Sequence, residues 1–172
     1  NGTFTDVDGD LIHEFSPGVE GISLNLPAGV FEVDLSWYET AGTLTNRDYD
    51  LVLKDSTGYV VAQSIMGQNG SDAPKERLLA QVTTAGTYTL EIVRIPGHPT
   101  YPDKFQLFLP DFDISPATLQ RPDSSLPVPA ESPNAFVVGA VRGTLADAGA
   151  YSLPNPGRDV VEPFSSRGPS LK

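Results

Sequence analysis

Carboxylate side chains recur at alternate positions near the start of the chain. Residues 6–10 have the sequence DVDGD, and Glu14 follows four residues later. Calcium binds six to eight oxygen ligands in flexible loops, and a D-x-D-G-D run opens many such loops. The run does not begin an EF-hand, because the Glu required at the twelfth position of that motif is Pro17 here. The residue types therefore predict a calcium site whose remaining ligands come from elsewhere in the chain.

A second pair of acidic residues supplies candidates for those remaining ligands. Asp48 and Asp50 stand at the start of a predicted strand, and side chains at i and i+2 lie on the same face of a strand. The competing interpretation is a solvated acidic loop whose carboxylates accept hydrogen bonds within a turn. The candidate calcium ligands are Asp6, Asp8, Asp10, Glu14, Asp48 and Asp50.

Groups suited to nucleophilic catalysis are sparse. A Ser-His-Asp triad needs a histidine that contacts both a serine and an aspartate, and the two histidines are His13 and His98. His98 lies in a Pro-Gly-His-Pro run with no acid beside it, and the chain has no Gly-x-Ser-x-Gly motif. Ser165 and Ser166 are the most nucleophile-like serines, but the requirement for a paired base argues against both. We therefore predict that this chain is not itself an enzyme and has no catalytic residues.

Composition excludes several classes of protein. The 172 residues include 22 acidic and 11 basic ones, a formal net charge of −11, and no cysteine. An acidic surface repels phosphate, so we expect no nucleic-acid partner, and the lack of cysteine excludes disulfides and thiol catalysis. The longest apolar run, residues 135–141, is too short to span a bilayer, so we also expect no membrane partner. Because the chain begins with Asn1 rather than Met, we interpret it as a piece of a longer protein.

The first two thirds of the chain has the pattern of a β protein. In residues 31–37, FEVDLSW, apolar residues alternate with polar ones, as they do in a strand with one face on a core. Turn sequences rich in Gly, Pro, Asn and Asp separate such segments, and no window shows a helical stripe. Strands are predicted at residues 22–26, 31–38, 49–54, 59–64, 77–82, 87–95 and 104–109. This spacing predicts an all-β fold, a β-sandwich of the jelly-roll type.

A change of composition near Phe112 predicts two domains, residues 1–112 and 113–172. The first carries 16 acidic and 6 basic residues and the second 6 and 5, while 9 of the 16 prolines fall in the second. Residues 135–141 are a continuous apolar run, typical of a strand buried on both faces. Since no partner strand is evident in the second domain, we expect this run to add to an edge of the sandwich, to pair with another molecule, or to be poorly ordered.

Two motifs in the second domain resemble those of subtilisin-like serine peptidases. Residues 129–141, PAESPNAFVVGAV, resemble a strand of that family with the pattern PAxxPxxxxVGAV, and residues 164–169, FSSRGP, resemble its FSSxGP turn. The resemblance implies that residues 113–172 are an extended segment of an α/β catalytic domain whose triad lies outside this chain. It also implies that the residues before the strand wall the primary specificity pocket of the complete enzyme, whereas in this chain alone they form a proline-rich linker. The implied wall residues are Pro127, Val128, Pro129 and Ala130.

Residues 1–112 resemble the bacterial pre-peptidase C-terminal domain. The shared features are a Trp-bearing strand at residues 35–37, DYDLVL at 48–53, GYVVAQS at 58–64 and AGTYTLEI at 85–92. Some subtilases carry such a domain inserted in the catalytic domain, and related collagen-binding domains hold calcium with an N-terminal acidic segment and strand acids. The resemblance implies a secreted, bacterial-type protein whose remaining catalytic domain is the partner of this insert. The insert would then aid stability or secretion, shield the cleft, or contact extracellular protein or polysaccharide.

Two other functions compete with that of an accessory domain. Exposed aromatic side chains on one sheet face would favour an autonomous module that binds collagen or carbohydrate. Burial of Trp37 and Tyr88, which occupy core-facing positions of the predicted strands, would favour a structural spacer stabilised by calcium. The aromatic candidates for binding are Trp37, Tyr38, Tyr49, Tyr59, Tyr88 and Tyr101.

Overall fold

The computed structural model describes residues 2–38, 45–97 and 104–109, together with three two-residue strands at 114–115, 141–142 and 160–161. The chain divides into two compact units, which are Asn1–Gln120 with Leu171, and Arg121–Ser170 with Lys172. The boundary near residue 112 that composition suggests stays a prediction.

The first unit consists of short strands joined by turns, and its described residues contain no helix. Each strand predicted from the sequence is present, with ends that shift by at most two residues. The strands are β1 Gly2–Thr3, β2 Ile22–Leu26, β3 Gly29–Trp37, β4 Tyr49–Asp55, β5 Val60–Ser64, β6 Lys75–Val82, β7 Gly86–Arg94, β8 Lys104–Phe108 and β9 Ile114–Ser115.

These strands form two antiparallel sheets. One sheet has the order β1-β8-β3-β6, and the other has the order β5-β4-β7-β2-β9. Strands that are distant in sequence are therefore neighbours, as where β2 pairs with β7 and β3 pairs with β8. The prediction of an all-β fold with the architecture of a β-sandwich is confirmed.

The core lies between the two sheets and follows from the two-residue period of a strand. In β2 the buried residues are Ile22, Leu24 and Leu26, and the residues between them are exposed. The same alternation runs through β6, so each strand turns one apolar face inward. Trp37 and Tyr88 are buried, with 3% and 7% of their surfaces exposed, and their predicted core-facing positions are confirmed.

Residues 11–13 of the N-terminal segment are hydrogen-bonded to β7 of the five-stranded sheet. The backbone N–H of His13 donates to the carbonyl of Ile92, and the N–H of Arg94 donates to the carbonyl of Leu11. An isolated bridge also joins Ile12 to Val93. The acidic loop before Leu11 is thus anchored at its C-terminal end to β7.

The second unit contains a strand pair of its own. In it, β10 (Val141–Arg142) pairs antiparallel with β11 (Val160–Val161). The expectation of no partner strand within residues 113–172 is therefore wrong for Val141, because a two-residue strand such as β11 leaves almost no periodic signal in the sequence. Residues 135–140, the rest of the apolar run, lie outside the described residues. None of the residues that the structure describes forms a helix long and apolar enough to cross a bilayer.

Candidate metal-binding loop

The acidic residues near the N-terminus form a tight loop that its own hydrogen bonds hold. Asp6 accepts from two backbone amides: its Oδ1 from the N–H of Gly9 at 2.8 Å and its Oδ2 from the N–H of Leu11 at 3.2 Å. Asp10 Oδ1 accepts from the N–H of Ile12 at 2.8 Å. Gly9 and Leu11 have φ values of 84° and 77°, and the strained value at Leu11 shows how sharply the backbone turns there.

This fold of the loop brings three carboxylates together. Oxygens of Asp6, Asp8 and Asp10 all lie within 4.8 Å of one another, and Asp8 and Asp10 are exposed. Glu14 is buried beside the loop, where its Oε1 is 3.4 Å from the backbone N–H of Val7. Four of the six predicted ligands are therefore in or next to one loop.

The surroundings of the loop are strongly acidic. The pKa of Glu20 is raised mainly by the charge of Asp10, with burial and the charges of Asp8, Glu91 and Glu14 adding to the effect. Opposite charge is supplied by Arg94, whose Nη2 lies 3.3 Å from Asp6 Oδ2. The raised pKa indicates that negative charge still predominates around Glu20.

The loop offers the carboxylate oxygens and the spacing that calcium requires. Asp6 itself holds the loop together through its hydrogen bonds. Calcium–oxygen distances of about 2.3–2.6 Å allow two ligands of one ion to lie almost 5 Å apart, which matches the 4.8 Å spread. The Asp6 side chain is only 5% exposed and already serves two amides and Arg94. Asp8 and Asp10 are therefore the carboxylates with oxygens directed to solvent, and an ion bound there needs water for its remaining ligands.

The other two predicted ligands belong to different surroundings. Asp48 is buried, and Asp50 is half-buried in β4. Burial raises the pKa of Asp50 to about 6, and the charges of Asp48 and Glu76 add to that effect. In the described part of the chain, the group of carboxylates close enough to share one ion does not include Asp48 or Asp50.

The sequence patterns did not predict a buried polar cluster that lies near Asp48 and Asp50. Glu76 is 1% exposed, and its carboxylate accepts hydrogen bonds from the Ser64 hydroxyl and, at 2.7 Å, from Gln68 Nε2. A signal for it does exist in the sequence. In β6 the inward positions are Glu76, Leu78, Ala80 and Val82, so a carboxylate occupies a core position and requires buried donors.

His13 has the environment of a structural residue. Its ring packs against Phe4, Phe15 and Phe105 at centroid distances of 5.4, 4.5 and 4.8 Å, and burial lowers its pKa to about 4. Its Nδ1 accepts from the backbone N–H of Thr5 at 3.0 Å. The Thr5 hydroxyl lies 3.4 Å from the same nitrogen but donates to the carbonyl of Glu14 at 2.7 Å. The hydroxyl proton of Thr5 is thus already engaged.

The aromatic candidates are mostly core residues. Trp37, Tyr49 and Tyr88 are buried, and the void that Trp37 and Tyr49 help to line measures only about 10 Å³. Among the aromatic residues that the structure describes, Tyr59 is the exposed one, with 70% of its surface accessible. The predicted pocket-wall residues Pro127, Val128, Pro129 and Ala130 lie outside the described residues, as do Tyr101 and the residues weighed and set aside as catalytic groups, His98, Ser165 and Ser166.

Comparison with known proteins gives no family. The sequence matches no protein-family model, and a search of curated proteins gives no match.

Proposed function

We propose that this chain is a non-catalytic part of a secreted, bacterial-type subtilisin-like serine endopeptidase. Residues 1–112 act as an inserted accessory β-sandwich, and residues 113–172 are a returning segment of the catalytic domain. The motifs at residues 129–141 and 164–169 support the family. The parent would hydrolyse peptide bonds with a triad outside this chain, and the rest of its catalytic domain is the partner of this piece.

The burial of the candidate functional side chains is the observation that supports a non-catalytic role. His13 is enclosed by three aromatic rings and has a pKa of about 4, so it is a poor proton acceptor near neutral pH. Trp37 and Tyr88 fill the core, which removes two of the side chains that an adhesive face would need. These features favour a stabilising module over an adhesive one, and contact with extracellular protein or polysaccharide stays a prediction.

The purified chain should not cleave casein or react with a fluorophosphonate probe for active serines. A nucleophilic serine needs a paired base, and the proposal places that base outside this chain. The measurement compares the wild type with the double variant Ser165→Ala/Ser166→Ala, which should give the same background signal. Casein hydrolysis or labelling that disappears in the double variant would overturn the proposal.

Calcium should raise the melting temperature by several degrees relative to EDTA, because the loop at Asp6, Asp8 and Asp10 would bind the ion only when folded. Binding to the native state alone adds RT ln(1 + [L]/Kd), about 2.7 kcal/mol at a hundredfold excess of ligand over Kd. The measurement is a thermal melt in EDTA, in millimolar Ca²⁺ and in millimolar Mg²⁺, since Mg²⁺ demands stricter geometry.

Two variants separate ion binding from a general effect of charge. Asp8→Asn removes an exposed carboxylate from the loop, and Glu32→Gln removes one from β3 in the other sheet. The calcium shift should vanish in the first and persist in the second. An equal shift in both variants, or no shift in the wild type, would show that the loop is a solvated acidic turn and not a calcium site.

A further inference from the structure

An asparagine followed by a glycine lies in the loop between β5 and β6. Asn69 is exposed, and Gly70 has a φ of 96° with open space where a β-carbon would be. Glycine is the following residue that least obstructs attack of the backbone nitrogen on an asparagine side chain, because it has no β-carbon. Of the other asparagines in the described ranges, Asn25 precedes a leucine and Asn46 precedes an arginine. Asn69 is therefore the described asparagine best suited to react with its own backbone.

Three hydrogen bonds hold this pair in the loop. The N–H of Ser71 donates to Oδ1 of Asn69 at 3.3 Å, which turns the side chain back along the residues that follow it. The N–H of Gly70 donates to the carbonyl of Thr45 at 2.8 Å, and the N–H of Thr45 donates to the carbonyl of Asp72 at 2.8 Å. Thr45 is only 2% exposed. The Gly70 nitrogen is thus bonded to the carbonyl of a buried residue, although the Asn69 side chain beside it is open to solvent.

We propose that Asn69 is a site of spontaneous deamidation, and that the hydrogen bond from the Gly70 N–H to the Thr45 carbonyl limits its rate. The Gly70 nitrogen forms a bond to Cγ of Asn69 and loses its proton. The bond from Cγ to Nδ2 breaks, and the side-chain nitrogen leaves with that proton as ammonia. One water then opens the five-membered succinimide ring at either carbonyl, which gives aspartate or isoaspartate.

The hydrogen bond limits the reaction because an amide nitrogen attacks only after it has lost its proton. In the native loop the Gly70 proton is held by the Thr45 carbonyl, away from solvent base. Exchange of the same proton with solvent also requires this bond to open. Deamidation of the native chain therefore proceeds only in the fraction of molecules with an open loop, and hydrogen exchange at Gly70 measures that fraction.

Incubation of the full chain at mildly alkaline pH, with and without urea above its unfolding transition, tests the site. Trypsin releases residues 55–75, in which Asn69 is the single asparagine, and mass spectrometry follows its conversion to aspartate and isoaspartate. Conversion should occur in the unfolded chain and be at least about tenfold slower in the native chain, since the loop must open first. Asn25 is exposed in β2 and precedes a leucine, so it is the matched control within the chain and should stay unconverted over the same period.

The slowing of deamidation in the native chain should match the hydrogen-exchange protection of the Gly70 amide, measured by NMR under the same conditions. If Asn69 were not converted in urea, the site would be wrong. The hydrogen bond would be overturned as the limit by a native rate equal to the unfolded rate. A slowing that differs from the Gly70 protection by more than about tenfold would also overturn it.

Isoaspartate at position 69 adds one methylene to the backbone between two anchored residues. Gln68 is 1% exposed and donates to Glu76 at 2.7 Å, and Gly70 is held by Thr45. The longer backbone cannot keep both bonds without strain, so the isoaspartate form should unfold at a lower urea concentration. Asn69→Asp is the matched control, because it carries the charge of the product on an unchanged backbone. Equal urea midpoints for the two forms would overturn this consequence.

Discussion

Replacing Trp37 by alanine should lower the free energy of unfolding by about 3–5 kcal/mol, the usual cost of truncating a large buried aromatic residue. The indole is 3% exposed and stacks edge-on against Tyr49 at a centroid distance of 5.2 Å. Its Nε1 also reaches the hydroxyl of Thr45 at 3.5 Å. A loss of this size is a large fraction of the stability of an ordinary domain.

Urea unfolding followed by circular dichroism measures this loss, because Trp37 is the only tryptophan and its fluorescence disappears in the variant. Tyr59→Ala is the matched control, since Tyr59 is 70% exposed and its truncation should change stability by less than about 0.5 kcal/mol. Similar stabilities for Trp37→Ala and the wild type would contradict the burial of Trp37 and restore it as a candidate for ligand stacking.

The fold should also lose stability as pH falls from about 6.5 to about 4, because His13 resists protonation in the native state. Burial lowers the pKa of His13 from 6.5 to about 4. Between these values the unfolded chain takes up a proton that the folded chain excludes, so the free energy of unfolding decreases toward acid. A difference of this size corresponds to about 3 kcal/mol.

Asp50 has the opposite effect over nearly the same range. Its pKa is raised from 3.8 to about 6, chiefly by burial. Between those values the folded chain holds a proton that the unfolded chain has lost, so this residue adds stability toward acid. Solvent screening of the half-exposed carboxylate limits the gain to about 1 kcal/mol. The two groups therefore cancel in part, and wild-type data alone would underestimate the contribution of His13.

Urea unfolding at a series of pH values separates the two residues. His13→Asn removes the titrating ring and keeps an acceptor for the N–H of Thr5, so its stability should depend less on pH in this window. Asp50→Asn removes the opposing group and should make the loss toward acid steeper than in the wild type. If His13→Asn showed the same acid slope as the wild type, the buried neutral histidine would not be the cause.

Much of the sandwich follows from local sequence patterns. A strand turns alternate side chains to opposite faces, so the FEVDLSW run predicts both the strand β3 and its buried residues. The DVDGD run likewise predicts a compact acidic loop, since Asp side chains bond backbone amides two or three residues away. Each of these patterns spans only a few neighbouring residues, so the sequence alone is enough to predict the strand and the loop.

The remaining features depend on which strands become neighbours. The rings around His13 come from Phe4, Phe15 and Phe105, and no local pattern brings residue 105 beside residue 13. Asp50 was predicted as a calcium ligand from its position in a strand. The packing of the sheets instead buries it near Glu76, whose charge adds to the rise in its pKa. Whether β5 is an edge or an interior strand is likewise a property of sheet order.

The sequence by itself determined the all-β fold, the positions of the strands, their core-facing residues and the acidic loop, because backbone periodicity and turn chemistry are local. Only the tertiary structure decided the lowered pKa of His13, the raised pKa of Asp50, the hydrogen bonds to Glu76 and the place of β5 at the end of its sheet. Each of these depends on desolvation, charge or strand pairing between residues distant in the chain, and such contacts exist only once the sheets have formed.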